Sequence, residues 1–256
     1  MNQLALSAFR NSHLIGLFGQ SNANGFPFAD GYDDPAVYDP QHNRYIFDVL
    51  TSTWQLLQQD VNNRGAYFGA SDGFGIEMRF MELMQDHYGA DQYLLKYAQG
   101  GIPIAEDTGA TYNWSPDSTD LFMFKGCVDY YWNAMNSFPV QKIPMKVFIW
   151  IQGEADMNTS ADAAAYQKNF TNLYAQFRNQ FNLPGLKCIN VGIGDGQTSA
   201  GGPLQGVINT AKKNVTINGS RFVSADGLPT HDGVHFTGDS YNTLAERIFD
   251  TYITMV

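Results

Sequence analysis

The chain has 256 residues, 44% hydrophobic and 14% aromatic, enough to bury one sizeable core and too apolar for a disordered segment. Its formal net charge of −10, with no basic cluster, argues against a nucleic-acid or anionic-membrane partner and favours a neutral or weakly charged substrate. No window approaches a transmembrane span, and the two cysteines, Cys127 and Cys188, are too isolated for a zinc site or a disulfide framework.

In chain order, His13–Phe18 reads as a buried strand, followed by a loop over 23–43 rich in Gly, Asp, Pro and Asn. Arg44–Leu57 carries Tyr45, Phe47 and Trp54 around the polar centre Thr51-Ser52-Thr53, which predicts a small surface hairpin. Ile76, Phe80, Leu83 and Met84 share one helical face, with Gly89 placed to end the helix. Strands are predicted at Tyr93–Ala98 and Lys146–Ile151. A long helix capped by Asp162 follows, with Tyr166, Phe170, Leu173, Phe177 and Phe181 on one face. Lys187–Ile193 is the next strand and contains Cys188, read as a buried thiol. Leu204, Val207, Ile208 and Ala211 make a shorter helical stripe. Arg221–Ser224 is the last strand, and Tyr241, Leu244, Ala245, Ile248 and Tyr252 form the final stripe. Strands alternating with helices imply βαβ units, hence one α/β domain over 1–256. The expected form is a three-layer α/β/α sandwich, flavodoxin-like, with about five parallel strands plus the hairpin.

Ligands of parallel sheets gather outside the carboxyl ends of the strands, and Gly19-Gln20-Ser21-Asn22 lies at such an end. A serine there is a candidate nucleophile if a base lies within hydrogen-bond reach. Asp232-Gly233-Val234-His235 offers an imidazole with a carboxylate three residues away to orient it. His231 and Asp226, in the same segment, compete for those roles. His231, Asp232 and His235 are alternatively a metal-chelating set, a reading ranked low because no further ligand cluster appears elsewhere. Gln152, directly after a strand, is a candidate oxyanion donor through its amide. Glu154 and Asp156 lie two residues apart on a loop and need not face a common bond, so a glycosidase pair ranks below a structural or substrate-contacting role. In Gly73-Phe74-Gly75-Ile76-Glu77 a glycine at a helix start offers an open backbone N–H. Gly100-Gly101 is a turn signal.

Taken together, these motifs resemble the SGNH hydrolases, and within them the sialate O-acetylesterase and acetylxylan esterase group, carbohydrate esterase family 6. The likeness runs in chain order through Gly19-Gln20-Ser21-Asn22, Gly75-Ile76-Glu77, Gly100-Gly101-Ile102, Gln152-Gly153-Glu154-Ala155-Asp156 and Asp232-Gly233-Val234-His235, over about residues 13 to 250. The resemblance implies Ser21 as nucleophile, His235 as general base and Asp232 as its orienter. It implies an oxyanion hole from the Ser21 and Gly75 N–H groups and the Gln152 amide, and no metal or organic cofactor. The chain departs from the group at Ile151, where many relatives carry His, at Ile102 in place of Thr, and at Ala23 in place of Met.

The expected activity is removal of O-acetyl groups from a carbohydrate, an acetylated polysaccharide or sialic acid, through an acyl-enzyme. Gln20, Asn22, Glu154, Asp156 and Trp114 are read as substrate contacts, with Tyr112 beside Trp114 as a second aromatic platform for a sugar ring. The alternatives are a lipase- or thioesterase-like member of the same superfamily, and a non-catalytic carbohydrate-binding or virion module. The first ten residues do not read as a signal peptide. An extracellular or phage-virion setting is favoured over the cytoplasm, because polysaccharide esterases meet their substrate outside the cell. Oligomeric state is not legible.

Overall fold

The computed structural model describes residues 11–26, 41–65, 75–106, 112–119, 123–138, 142–199 and 202–256. The elements are β1 (His13–Gly19), α1 (Ser21–Asn24), β2 (Gln41–Asp48), β3 (Thr53–Leu57), α2 (Ile76–Tyr88), β4 (Gln92–Ala98), α3 (Met123–Asn136), β5 (Met145–Ile151), a 3-10 turn (Ala155–Met157), α4 (Ser160–Gln180), β6 (Lys187–Val191), α5 (Leu204–Lys213), β7 (Ser220–Val223) and α6 (Gly238–Ile253).

Seven strands form one mixed sheet in the order β3-β2-β4-β1-β5-β6-β7. All neighbours pair in parallel except the β2–β3 hairpin. The five predicted parallel strands are therefore β1, β4, β5, β6 and β7. The hairpin expected on the surface instead extends the sheet, because β2 pairs with β4 and Phe47 and Leu57 are buried. The Tyr130 hydroxyl donates to Phe47 O, fixing this edge to α3.

Side chains of the central strands alternate between two buried faces. Leu14, Phe18, Phe148 and Trp150 pack on one face with residues of α3, α4 and α5, whereas Ile15, Leu17, Val147 and Ile149 pack on the other with α2 and α6. Burial on both faces explains why these strands read as continuous apolar runs. The long helix begins one turn earlier than its expected Asp162 cap. Thr159 is the cap, its hydroxyl accepting the Asp162 N–H at 3.1 Å and donating to the Asp162 carboxylate at 2.6 Å. Val207, placed on the buried stripe of α5 by its spacing, is exposed, while Ile208 and Ala211 are buried.

Helix α3 has no counterpart among the predicted elements. Its interior Gly126 allows close approach to β4, since a Cβ there would stand 2.3 Å from the Tyr97 hydroxyl. Strand order reverses between β1 and β5, the topological switch point at which open α/β sheets bind ligands. The two strands end level there, Gly19 pairing with Ile151.

Candidate active site

Ser21 emerges from that switch point because of Gly19. Gly19 has φ +145°, and a Cβ on it would lie 1.9 Å from Ile151 O. Only glycine lets β1 pass so close to β5 that Gln20 N–H can donate to Ile151 O at 2.9 Å. The chain then turns into α1, and Ser21 faces a cleft of about 780 Å³. Gln20, Gly100, Gly101, Glu154 and His235 line the same cleft, and among the described residues no Lys or Arg lines it.

His235 arrives on the loop between β7 and α6. Thr230 and Phe236 form a bridge, His231 N–H donates to His235 O at 2.8 Å, and Thr237 caps α6 by accepting from Ser240 N–H. Within the loop, Asp232 Oδ1 accepts the Val234 and His235 N–H groups at 2.9 and 2.7 Å, while Oδ2 meets His235 Nδ1 at 2.7 Å. Burial pulls the Asp232 carboxyl upward, but the hydrogen bonds from His235 and Val234 outweigh it and hold it down at about 2. An ionised Asp232 keeps the proton on Nδ1 and leaves Nε2 as the acceptor. The Phe26 ring stacks on the imidazole with centroids 3.9 Å apart and planes 8° from parallel.

The rival assignments separate by position. Asp226 pairs with Ser224, whose hydroxyl donates to it at 2.7 Å, and the exposed His231 does not line the cleft. Ser21 and His235 line one cleft without a direct hydrogen bond between them; contacts of this kind commonly close only in the substrate complex. Among the described residues, no group of three or more His, Cys, Asp or Glu side chains is placed to hold a metal ion.

Several expected site residues lie elsewhere. Gln152 is fully buried and does not line the cleft. Its Nε2 donates to Ile102 O at 3.2 Å and to Asp156 Oδ2 at 2.5 Å, and its Oε1 accepts from the Tyr166 hydroxyl at 3.0 Å. Both amide hydrogens are thus engaged, which leaves none for an oxyanion. Gly75 is also absent from the lining; the space at its Cα is bounded by Glu77 and Gly25. Gly73 lies outside the described residues. Gly100, read only as a turn residue, takes that place beside the serine, since a Cβ on it would sit 3.5 Å from Ser21 Cβ.

Of the expected substrate contacts, Gln20 and Glu154 line the cleft and the other three do not. Trp114 is fully buried, packed edge-on against Trp150 and donating from Nε1 to Gly19 O at 3.2 Å. It braces the strand end beneath Ser21 instead of offering a face to sugar. Tyr112 packs against the same core. Asp156 is fully buried and accepts from Ile104 N–H, Ala105 N–H and Gln152, tying the 102–105 loop to the Gln152 turn. Burial raises its carboxyl to about 6, against the pull of those hydrogen bonds.

Asn22 is a buried strut. Its Nδ2 donates to Glu154 Oε1 at 2.8 Å and Val234 O at 3.1 Å, and its Oδ1 accepts from Phe236 N–H and the Tyr241 hydroxyl. Gln197, which no sequence motif marks, repeats the arrangement by donating to Glu154 Oε1 and Val234 O, each at 3.0 Å. Lys212 is likewise unmarked. Fully buried, it donates to Gln152 O and Val191 O, and burial lowers its ammonium to about 8 although Glu154 pulls the other way.

A family model described as carbohydrate esterase, sialic acid-specific acetylesterase, matches residues 11–254. The chain belongs to this carbohydrate esterase family. A probable carbohydrate esterase of Arabidopsis thaliana is 31% identical over 111 residues, which is 43% of this chain and 41% of that protein, so the match spans less than half of either. Among solved structures, that of the same Arabidopsis locus superposes with a TM-score of 0.78 at 23% identity, covering 95% of this chain and 98% of the other. NanS gives 0.70 at 14% identity over 95% and 97% of the two chains. A carbohydrate acetylesterase from Xanthomonas citri gives 0.62 at 17% identity, over 95% of this chain and 56% of its own. At such identities the likeness speaks for the fold, an SGNH-type α/β/α sandwich.

Proposed function

We propose that this esterase is a serine hydrolase that removes acetyl groups from an uncharged sugar. The observation that carries the reading is the placement of Ser21 and the Asp232-bound His235 in one cleft at the switch point of the sheet. Ser21 Oγ attacks the acetyl carbonyl carbon as His235 Nε2 takes its proton, giving a tetrahedral oxyanion. Collapse breaks the ester bond, and the same proton passes to the departing sugar oxygen. Water, deprotonated by His235, then attacks the acetyl-serine, releasing acetate and restoring Ser21.

The family description names sialic acid, whose carboxylate calls for a cationic partner. Among the described residues, the cleft lining includes Glu154 and no Lys or Arg. A neutral acetylated sugar therefore fits better than a sialate. The test is turnover of acetylated xylan against O-acetyl sialic acid, with 4-nitrophenyl acetate, butyrate and octanoate beside them, for wild type and Ser21→Ala. The proposal expects acetate preference, Ser21 dependence and xylan over sialate. A preference for octanoate would move the chain to the lipase-like alternative. A preference for sialate would overturn the neutral-sugar part.

A further inference from the structure

Beside the cleft that holds Ser21 lies a second cavity, of about 700 Å³, which the proposed reaction does not use. We infer that it is a distal sugar subsite, so that the substrate is a chain of uncharged sugar units and not a single acetylated sugar. The inference rests on the serine-esterase reading and deepens it by naming the form of the substrate.

Three observations converge on this cavity. The first is its place. Gly101 and Asn158 line the catalytic cleft, and Ile104 and Ala161 line the second cavity. The offset is three residues on each segment, a stretch of chain that spans at most about 11 Å. The two cavities are therefore neighbours along two segments at once. Those segments form one rigid piece, because Asp156 accepts the Ile104 and Ala105 N–H groups and so ties the loop after β4 to the turn after β5.

The second observation is the chemistry of the walls. Ile104, Pro116 and Ala165 offer apolar surface, while Glu106, Asp117, Asn169 and Asn172 offer polar groups. A sugar ring uses both, laying its C–H bonds on apolar surface and pairing its hydroxyls with carboxylates and amides. Glu106, Asp117 and Asp162 face a single cation, Lys168, so the lining disfavours an anionic ligand, as the catalytic cleft does.

The third observation is that the polar rim is held in place and still has capacity. The Ser115 hydroxyl donates to Glu106 Oε1 at 2.6 Å, and Asn172 Nδ2 donates to Asp117 Oδ2 at 2.7 Å, joining α4 to the segment that carries Trp114. Asn169 lies one turn before Asn172 on the same face of α4. Among the described residues, neither the Asn169 carboxamide nor the Lys168 ammonium has a hydrogen-bond partner. Fixed acceptors beside uncommitted donors are what a hydroxyl-rich ligand requires.

The experiment measures the whole chain on acetylated xylohexaose, acetylated methyl xyloside and 4-nitrophenyl acetate. Ala165→Trp fills the cavity from the helix, and Asn169→Ala removes one polar group from its wall. Wild type is expected to show a kcat/KM on the hexamer about tenfold or more above that on methyl xyloside, the equivalent of one or two hydrogen bonds. Ala165→Trp should erase this advantage through KM, with 4-nitrophenyl acetate and methyl xyloside kept within about twofold. Asn169→Ala should lower only the hexamer value, by about threefold or more, and it carries the test if Ala165→Trp does not fold. A readout free of turnover comes from Ser21→Ala titrated calorimetrically with unacetylated xylohexaose, whose binding should disappear when Ala165→Trp is added. Equal turnover of hexamer and methyl xyloside, or a hexamer advantage that survives both substitutions, would overturn the subsite. Ser21-dependent hydrolysis of 4-nitrophenyl acetate would then leave the esterase reading standing. Absence of wild-type turnover on all three substrates would instead sink the esterase reading, and the titration alone would decide whether the cavity binds a sugar chain.

Discussion

The carboxamide of Asn22, the residue after the candidate nucleophile, grips the chain on both sides of His235, donating to Val234 O at 3.1 Å and accepting the Phe236 N–H at 3.2 Å. One buried amide thus sets the separation of Ser21 and His235, two groups more than two hundred residues apart in sequence. Asn22→Ala strands the Phe236 N–H and the Tyr241 hydroxyl, at a cost of about 2 kcal/mol or more in stability. It is expected to lower kcat on the order of 10²-fold, because a small displacement of a reacting group costs that much. Asn22→Asp is the sharper variant. It sets a carboxylate oxygen where the amide nitrogen met Glu154 Oε1 at 2.8 Å, so like charges compete unless one is protonated. Its destabilisation should be smaller at pH 5 than at pH 8 in urea unfolding. Equal losses at both pH values would contradict the contact.

Phe26 covers one face of the imidazole, which limits how the ring can turn about its bond to Asp232. A stacked aromatic pair contributes about 0.5–1.5 kcal/mol beyond area burial, equivalent to a factor of about 2–10 in rate if it is spent on orientation. Phe26→Ala should reduce kcat by that factor with KM little changed, and Phe26→Tyr should restore it. A change confined to KM would instead make Phe26 a wall for the substrate.

How legible the site was from sequence depended on how many atoms its logic involves. Asp232 and His235 lie in one short loop, so local spacing suffices to bring them together. Gln152 shows where spacing stops. Strand alternation puts Trp150 on the α4 face, and two residues later Gln152 points the same way, its side chain meeting Tyr166 and Asp156 instead of the cleft. Position at a strand end was readable; side-chain direction was not. Trp114 sits in a segment with no periodicity, and nothing local distinguishes a buried brace from an exposed platform. Helix α3 lacks a local signal for another reason. Val128, Tyr130, Tyr131, Trp132, Asn133, Cys127 and Gly126 are all weak helix formers, so packing on β4 and α4 overrides local preference there. Gln197 reaches Glu154 and Val234, and Lys212 reaches Gln152 O, through contacts far apart in sequence, and no motif marks them.

Two glycines with positive φ give a paired test of the switch point. At Gly19 the obstacle is backbone: Ile151 O lies 1.9 Å from where a Cβ would be, and it cannot move without parting β1 from β5. Gly19→Ala should therefore cost on the order of 3 kcal/mol or more and abolish turnover. Gly89, at φ +61°, ends α2 with nothing within 4 Å of the Cβ position. Gly89→Ala meets only the left-handed penalty of about 1–2 kcal/mol and should leave kcat unchanged. Chemical unfolding and 4-nitrophenyl acetate kinetics on both variants check the contrast. Comparable losses at the two sites would mean that the β1–β5 approach is not the constraint.

The raised carboxyl of Asp156 makes a signed prediction about stability and pH. Its value moves from an ordinary 3.8 to about 6 on folding, burial being the cause. Between those values the native chain holds a proton that the unfolded chain has lost, so stability falls as pH rises from about 4 through 6 and levels off above. The span corresponds to roughly 3 kcal/mol. Asp232 works with the opposite sign and in a lower window: its depressed carboxyl adds stability that is complete above about pH 4 and is lost as pH falls through about 2. The two contributions therefore do not overlap. Asp156→Asn removes the titration but places an amide N–H2 among the Ile104, Ala105 and Gln152 donors, so it should be less stable than wild type at acid pH. Urea midpoints for both proteins between pH 4 and 7.5 should converge as pH rises, because only wild type loses stability across that range. Parallel profiles would show that the Asp156 carboxyl does not titrate there.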